Sequence, residues 1–129
     1  MQSIIFILGR VLLGGFFINS GINHFRSIAM MSSYAQMKGI PLPKASVAIT
    51  GALLLIGGVS VLLGFYPTVG IVALAAFLIP TTFMMHAFWT VQDPMAKMGE
   101  MVNFTKNIAL LGAVLTLLAI PQPWSANIF

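Results

Sequence analysis

The chain contains no cysteine, and this absence removes several kinds of chemistry. Without thiols it forms neither a disulfide framework nor the thiolate ligands of an iron–sulfur cluster, so redox work requires a bound cofactor or a partner protein. Carboxylates are also scarce, because Asp93 and Glu100 are the only two. Both precede the last apolar run, where they cannot form a paired acid–base site inside a helix bundle, so classical hydrolysis is not supported.

Charged residues of either sign are rare. They make up only 6% of the 129 residues, while hydrophobic residues make up 59%. An ordinary soluble domain has about 25% charged residues, so this composition indicates an integral membrane protein. The net charge of +4 comes from cations near the ends of apolar runs. We therefore expect contact with the lipid bilayer and none with nucleic acid.

Four apolar runs reach the length of about 20 residues that crosses the hydrocarbon core as a helix. They cover residues 3–22, 46–64, 68–90 and 103–120. Backbone groups in lipid need internal partners, so the runs are helices. The predicted fold class is all-α, an integral membrane four-helix bundle made by one domain over residues 1–129. No basic segment precedes the first run, so we expect it to stay in the mature protein.

The two long connections each predict a short helix lying in the membrane interface. In the first, apolar residues recur at every third position before Lys38 and Gly39 end the helix. In the second, Asp93 and Pro94 are the residue types typical of an N-cap and a first helical position. Small residues at four-residue spacing predict close packing of the spans. These pairs are Ser60/Gly64, Ala109/Ala113 and Gly112/Thr116.

Basic residues cluster on the side of the membrane that holds both long connections. They are Arg26, Lys38, Lys44, Lys97 and Lys106. The positive-inside rule therefore places these connections in the cytoplasm and both termini outside. The inverted orientation remains an alternative, because Arg10 and the amino terminus could anchor the first helix during insertion.

The first apolar run also carries polar side chains, and Arg10 is the most costly of them. A charge at membrane depth is expensive, so an intramembrane arginine is a candidate functional residue. At about 100° per residue, Arg10, Asn19, Asn23 and His24 fall on one half of the helix. Arg10 and His24 are separated by about 20 Å of helix rise, so they belong to two different sites.

Polar residues from three segments converge at the end of the bundle where the first helix ends. Thr82, His86 and Trp89 have the i, i+4, i+7 spacing of one helical stripe, and the fourth span contributes a second stripe. We predict a ligand-binding site there. Its residues are Asn19, Asn23, His24, His86, Trp89, Lys106 and Asn107.

Each of these assignments has a simpler alternative. Interfacial histidines more often form hydrogen bonds than ligate metal, so haem is disfavoured and no metal site is predicted. Trp89, Trp124, Tyr34 and Tyr66 are typical of an aromatic belt. Lys106 at a helix end typically extends toward the headgroups. The nine methionines lie at apolar positions, where flexible packing explains them better than copper binding.

A series of short motifs runs along nearly the whole chain. They are Gly9-Arg10, Phe17, Ser20-Gly21-x-x-His24-Phe25, Gly39-x-Pro41, Gly57-Gly58, Gly64, His86-x-Phe88-Trp89, and Lys106-Asn107 with Gly112. In order and spacing they resemble the DoxX family of small four-helix bacterial membrane proteins. The resemblance implies a bundle with polar residues between its helices, in the bacterial inner membrane. Some members are associated with quinone-linked oxidoreductases such as thiosulfate:quinone oxidoreductase, or with membrane redox complexes.

The chain departs from the family pattern at Leu54, where relatives often carry a glutamate. If that acid pairs with the arginine of the first helix in relatives, Arg10 needs another partner here. The options are backbone carbonyls, Ser60 at a comparable depth, a lipid phosphate reached by snorkelling, or a ligand.

These features lead to a functional hypothesis and its rival. The first is a small accessory subunit of a redox or quinone-linked membrane complex, not catalytic alone, with a lipid- or quinone-sized pocket between the first, third and fourth spans. Its expected ligand is a quinone or bound lipid, and its electron carriers belong to other subunits. The rival is a non-catalytic scaffold or assembly factor that packs against a larger complex or a second copy. Transport is less favoured, because Pro80 offers the only sign of a broken helix.

Overall fold

The computed structural model describes residues 2–124, which form helices and turns with no strand among them. The elements are α1 (Gln2–Arg26), α2 (Ile28–Met37), α3 (Pro43–Leu63), α4 (Pro67–Met85) and α5 (Pro94–Thr116), with 3-10 turns at Phe88–Thr90 and Leu117–Ala119. Within this range, four helices, α1, α3, α4 and α5, are long and apolar enough to cross a membrane. The all-α prediction is confirmed, and the protein is a small multi-pass membrane protein.

The helix ends follow from local residue chemistry. Each of α3, α4 and α5 has proline in its first turn, where a missing N–H costs nothing. The Asp93 carboxylate accepts a hydrogen bond from the Ala96 N–H at 2.9 Å, which confirms the predicted N-cap. Gly39 and Gly64 follow α2 and α3 with φ of 78° and 69°, the left-handed conformation that ends many helices.

Two helix boundaries differ from the prediction. The second predicted interfacial helix is the first part of α5, which continues from Pro94 into the fourth span because no proline follows to interrupt it. The third span ends as an α-helix at Met85, five residues earlier than the predicted end at Thr90. Pro80 lies inside its last turns and removes one helical hydrogen bond, and His86 has a non-helical φ of −118° and ψ of 40°.

The spanning helices pack in the order α1, α3, α4, α5, and α2 lies against α3. Glycines bring α1 and α3 into backbone contact. A Cβ added at Gly14 would lie 2.9 Å from the Gly58 carbonyl oxygen, and one added at Gly21 would lie 3.0 Å from that of Gly51. This close approach is the mode by which small residues stabilise helix pairs in lipid.

The core is one cluster of residues contributed by α1, α3, α4 and α5. Phe17, Leu54, Leu74, Leu78 and Val114 are fully buried there. Leu54, the position noted above as a departure from the family pattern, is therefore a core residue. The predicted small-residue pairs of α5 do not pack in the bundle, because their side chains or Cα atoms face outward and are exposed.

The α1–α3 contact gives a matched pair of variants. Gly14→Ala is expected to lower the free energy of unfolding in detergent by about 1–3 kcal/mol, because the new methyl group meets the α3 backbone. Gly15→Ala is the control, since nothing lies within 4 Å of its added Cβ. The control should be neutral or slightly stabilising, because alanine is the better helix former. Denaturation followed by circular dichroism measures both, and equal effects would contradict the packing.

Candidate functional site

A cavity of about 710 Å³ lies at the α2 end of the bundle and is bordered by all five helices. Most of the predicted site residues line it. They are Asn23, His24, His86, Lys106 and Asn107. The remaining wall is mainly apolar, with Phe16, Phe17, Phe77 and Leu110 among its residues. Its size and its few polar groups are typical of small-molecule sites in proteins.

Two predicted site residues, Asn19 and Trp89, are not among the residues that line this cavity. Asn19 is exposed on the outer face of α1. Trp89 is 52% exposed and packs edge to face on Phe104, with ring centroids 5.8 Å apart. The predicted Thr82, His86 and Trp89 stripe was wrong because it assumed a continuous helix, whereas α4 ends at Met85.

His24 is held by its own helix. Its Nδ1 lies 2.8 Å from the Ser20 carbonyl oxygen, and its ring packs edge to face on Phe77 at 5.9 Å. A carbonyl only accepts hydrogen bonds, so Nδ1 carries the proton and donates it. In the neutral ring, Nε2 is then an acceptor, and it has no hydrogen bond within the described residues.

His86 is held in the same way by a carboxylate. Its Nδ1 lies 3.2 Å from Glu100 Oε1. The same oxygen accepts from Asn103 Nδ2 at 3.2 Å, while Oε2 accepts from Lys38 Nζ at 2.7 Å and from Tyr34 Oη at 3.0 Å. Glu100, only 7% exposed, is therefore satisfied by four donors, which come from α2 and its C-cap, from the C-cap of α4 and from α5.

This Glu100 network fixes α2 over the cavity. Tyr34 belongs to α2 and Lys38 is its C-cap residue, and Tyr34 borders the cavity itself. Burial raises the pKa of Tyr34, and its hydrogen bond to Glu100 raises it further. Burial alone would lower the pKa of Lys38, but its hydrogen bond to Glu100 and the charges nearby raise it overall. Both groups therefore stay protonated as donors to the carboxylate at neutral pH.

Sequence reasoning missed Glu100, although a signal was available. Glu100, Asn103 and Asn107 have i, i+3, i+7 spacing, which places all three on one face of α5. The prediction placed Glu100 in a separate interfacial helix, so it did not group Glu100 with the two asparagines.

Asn107 is the most buried polar side chain of the cavity wall. It is 7% exposed and lines the cavity. Its amide forms no hydrogen bond to any residue in the range 2–124. The amide therefore has both a donor and an acceptor available for a polar group of a ligand or for a water molecule.

Arg10 lies at the other end of the bundle, is 2% exposed and is not among the cavity residues. Its Nε donates to the Val61 carbonyl at 3.0 Å and its Nη2 to the Leu62 carbonyl at 3.1 Å. These carbonyls belong to the last turn of α3, which carries partial negative charge. Of the partners considered from the sequence, Arg10 uses backbone carbonyls. The Ser60 hydroxyl donates to the Phe65 carbonyl oxygen at 2.6 Å.

Aromatic rings complete the surroundings of Arg10. The guanidinium carbon lies 5.3 Å from the Phe6 ring centroid and 5.5 Å from that of Trp124. Trp124 is only 2% exposed, so its assignment to an aromatic belt was wrong. The guanidinium thus gains cation–π contacts in addition to its hydrogen bonds.

The described residues contain no group of three or more His, Cys, Asp or Glu side chains arranged to hold a metal ion. The polar groups of the cavity are instead nitrogen and oxygen atoms suited to hydrogen bonding, so the arrangement is able to bind and orient a small polar head group.

Comparison with known proteins adds one finding. No curated protein and no solved structure matched the chain. The DoxX family model matches residues 5–87, which is more than half of the chain and covers α1 to α4. Arg10, His24 and His86 lie inside the match, whereas Glu100 and Asn107 lie beyond it. The chain belongs to the DoxX family.

Proposed function

We propose that this protein binds one membrane-soluble ligand of the quinone or lipid class in the cavity between α1 and α5, as a small accessory subunit of a quinone-linked redox complex. The observation that carries the proposal is Asn107, a residue only 7% exposed that lines an otherwise largely apolar cavity of about 710 Å³ and whose amide forms no hydrogen bond within residues 2–124. A ligand with a polar head and an apolar body satisfies both features.

The aromatic residues that line the cavity are suited to a ligand with a flat head group. Phe16, Phe17 and Phe77 offer ring faces and edges. Lys106 Nζ lies 5.9 Å from the Phe16 ring centroid, so a cation reaches from α5 toward α1 at the side of the cavity. An aromatic or quinonoid ring fits between such groups, with its substituents directed to the polar side chains.

Catalysis by the chain alone is not part of the proposal. Glu100 is engaged by four donors, and Asp93 caps a helix at the surface. Neither carboxylate is therefore available as a general base in the cavity. The chain would bind and orient the ligand, and a partner subunit would carry the electrons.

We also propose the location of the protein. Its place is the bacterial inner membrane, with α2 on the cytoplasmic side and both termini outside. The support is the cluster of basic residues around α2 and at the start of α5, which the positive-inside rule assigns to the cytoplasm.

Extraction of the purified protein tests the binding site. Protein purified in mild detergent should yield close to one quinone or lipid molecule per chain by mass spectrometry of an organic extract. Asn107→Leu should retain about tenfold less, because the head group loses its buried partner. Asn19→Leu is the matched control, since Asn19 is exposed on the outer face. Equal retention by the two variants, or an empty wild-type protein, would contradict the proposal.

A second function is favoured by the outer face of α5. Ala109, Gly112, Ala113 and Thr116 are exposed there, and a Cβ added at Gly112 would meet nothing within 4 Å. Small residues let another membrane helix approach closely, so a scaffold or assembly role would use this face against a partner subunit or a second copy. In that case the cavity residues would tolerate substitution, which the Asn107→Leu experiment distinguishes.

A further inference from the structure

We propose that α2 is a lid over the cavity, and that the contacts of Tyr34 and Lys38 with Glu100 are the latch that holds this lid closed. The inference rests on the proposed function, because it concerns the way in which a ligand enters and leaves the same cavity. It follows from the position of α2, from its packing, from its two ends and from its tie to α5.

The helix α2 forms one wall of the cavity. Its residues Met30, Met31, Tyr34 and Ala35 line the space directly. Movement of α2 away from the bundle would therefore open the cavity along this wall, with no rearrangement of the four spanning helices.

Little burial holds α2 in place. Ala35 is the only buried residue of this helix, and Met30 and Met37 are 71% and 82% exposed. The side-chain oxygen of Ser32 is buried and has no hydrogen-bond partner within residues 2–124. An element with few buried contacts and an unsatisfied polar group belongs to the least stable part of a fold. We therefore expect α2 to open before any spanning helix does.

The backbone at both ends of α2 is suited to a hinge. Ser27 lies between α1 and α2 with φ of −118° and ψ of 34°, which is outside the helical range. At the other end, Gly39 has φ of 78°, a conformation that glycine adopts without strain. Because hinges are a few residues at the ends of elements that absorb changes in φ and ψ, α2 is able to move as one body between these two points.

The latch joins this helix to α5. Lys38 Nζ donates to Glu100 Oε2 at 2.7 Å, and Tyr34 Oη donates to the same oxygen at 3.0 Å. His86 and Asn103 donate to Oε1 and so hold the carboxylate in position. The main packing of α2 is against α3, so the tie to α5 consists of these polar contacts. Their loss should free the helix without removing any residue that lines the cavity from α1, α3, α4 or α5.

Thiol labelling of the full chain in lipid nanodiscs tests the lid, because the chain has no cysteine of its own. Ala35→Cys places a single thiol on the cavity wall at a position that is 4% exposed. N-ethylmaleimide should react slowly with this thiol, and at least about tenfold faster when Glu100→Gln is added. Lys38→Met should also accelerate the labelling, and it replaces Glu100→Gln if that variant does not fold.

Two controls separate opening of the lid from general unfolding. Asp93→Asn makes the same carboxylate-to-amide change at an exposed N-cap and should leave the labelling of Ala35→Cys unchanged. Ala73→Cys, at a position on α4 that is 8% exposed, should label slowly in every background. Equal labelling of Ala35→Cys with Glu100→Gln and with Asp93→Asn overturns the lid. Labelling of Ala73→Cys that accelerates as much as that of Ala35→Cys overturns it as well.

Binding kinetics connect the lid to the proposed function. The probes are decylbenzoquinone and phosphatidylglycerol, and their association and dissociation rates are measured for wild type and Lys38→Met. For a probe that binds, both rates should rise by about the same factor, because a lid that opens more often speeds entry and exit alike. A rise in the dissociation rate alone overturns the lid. If neither probe binds, the proposed function fails, whereas the labelling of Ala35→Cys still decides whether α2 opens.

Discussion

Glu100→Gln is expected to lower the free energy of unfolding in detergent by about 3 kcal/mol. The substitution preserves the size of the side chain but removes the charge that four donors share. Lys38, whose side chain is 21% exposed, is then left close to an uncharged amide. Because Tyr34 of α2 and Lys38 at its C-cap both reach Glu100, the largest loss of order should occur in that helix.

Asp93→Asn is the matched control for Glu100→Gln. It makes the same carboxylate-to-amide change on the same helix, but at an exposed N-cap where asparagine serves as well as aspartate. A double-mutant cycle with Lys38→Met should give a coupling energy of about 1–3 kcal/mol. Additive effects, or a Glu100→Gln effect no larger than that of the control, would contradict the role of the network.

The stability contributed by the Lys38–Glu100 ion pair depends on pH in a definite direction. The pKa of Lys38 in the folded protein is raised above its ordinary value of 10.5. A raised pKa on a cationic group contributes stability that is fully present below the ordinary value and is lost as pH rises through the folded value. Wild type and Glu100→Gln differ in the free energy of unfolding, and the part of this difference that comes from Lys38 should therefore persist from pH 7 to about pH 10.

Arg10→Met is expected to lower the free energy of unfolding by about 2–3 kcal/mol. The substitution leaves the Val61 and Leu62 carbonyls of α3 without the donors that now satisfy them. It also removes the cation from the partial negative charge of the helix end. Arg10→Lys should recover only part of the loss, because an ammonium lacks the planar fork of donors that reaches both carbonyls.

Arg26→Met controls for the loss of a cation from the same helix. Arg26 is exposed at the end of α1, so its replacement should change stability by no more than about 0.5 kcal/mol. Because Arg10 lies away from the cavity residues, folded Arg10→Met protein should retain the bound ligand. Equal stability of Arg10→Met and Arg26→Met would contradict the capping role.

The sequence predicts the helices well because membrane spans are governed by length and hydropathy. The N-cap at Asp93 and the helix stop at Gly39 were also predictable, since each depends on one residue type at one position. Such features are local and require no knowledge of neighbouring helices.

The candidate site was less predictable because it depends on contacts between distant residues. The Glu100 network joins residues 62 and 66 positions apart, and no local pattern reveals that α2 returns to α5. Helical periodicity placed Asn19 and Asn23 on the same half of α1, but only packing decides which of them faces the cavity. For Trp89, the error arose where the backbone left the helix after Met85.

Photoaffinity labelling in bacterial membranes tests the central claim most directly. A photoreactive quinone and a photoreactive phospholipid are applied in parallel, and labelled residues are identified by peptide mass spectrometry. The proposed function predicts that one of them labels cavity residues such as Phe77 and Met84, and that an excess of the unlabelled compound prevents it. Labelling by both compounds only at outward-facing residues such as Val69 and Val72, without competition, would contradict it.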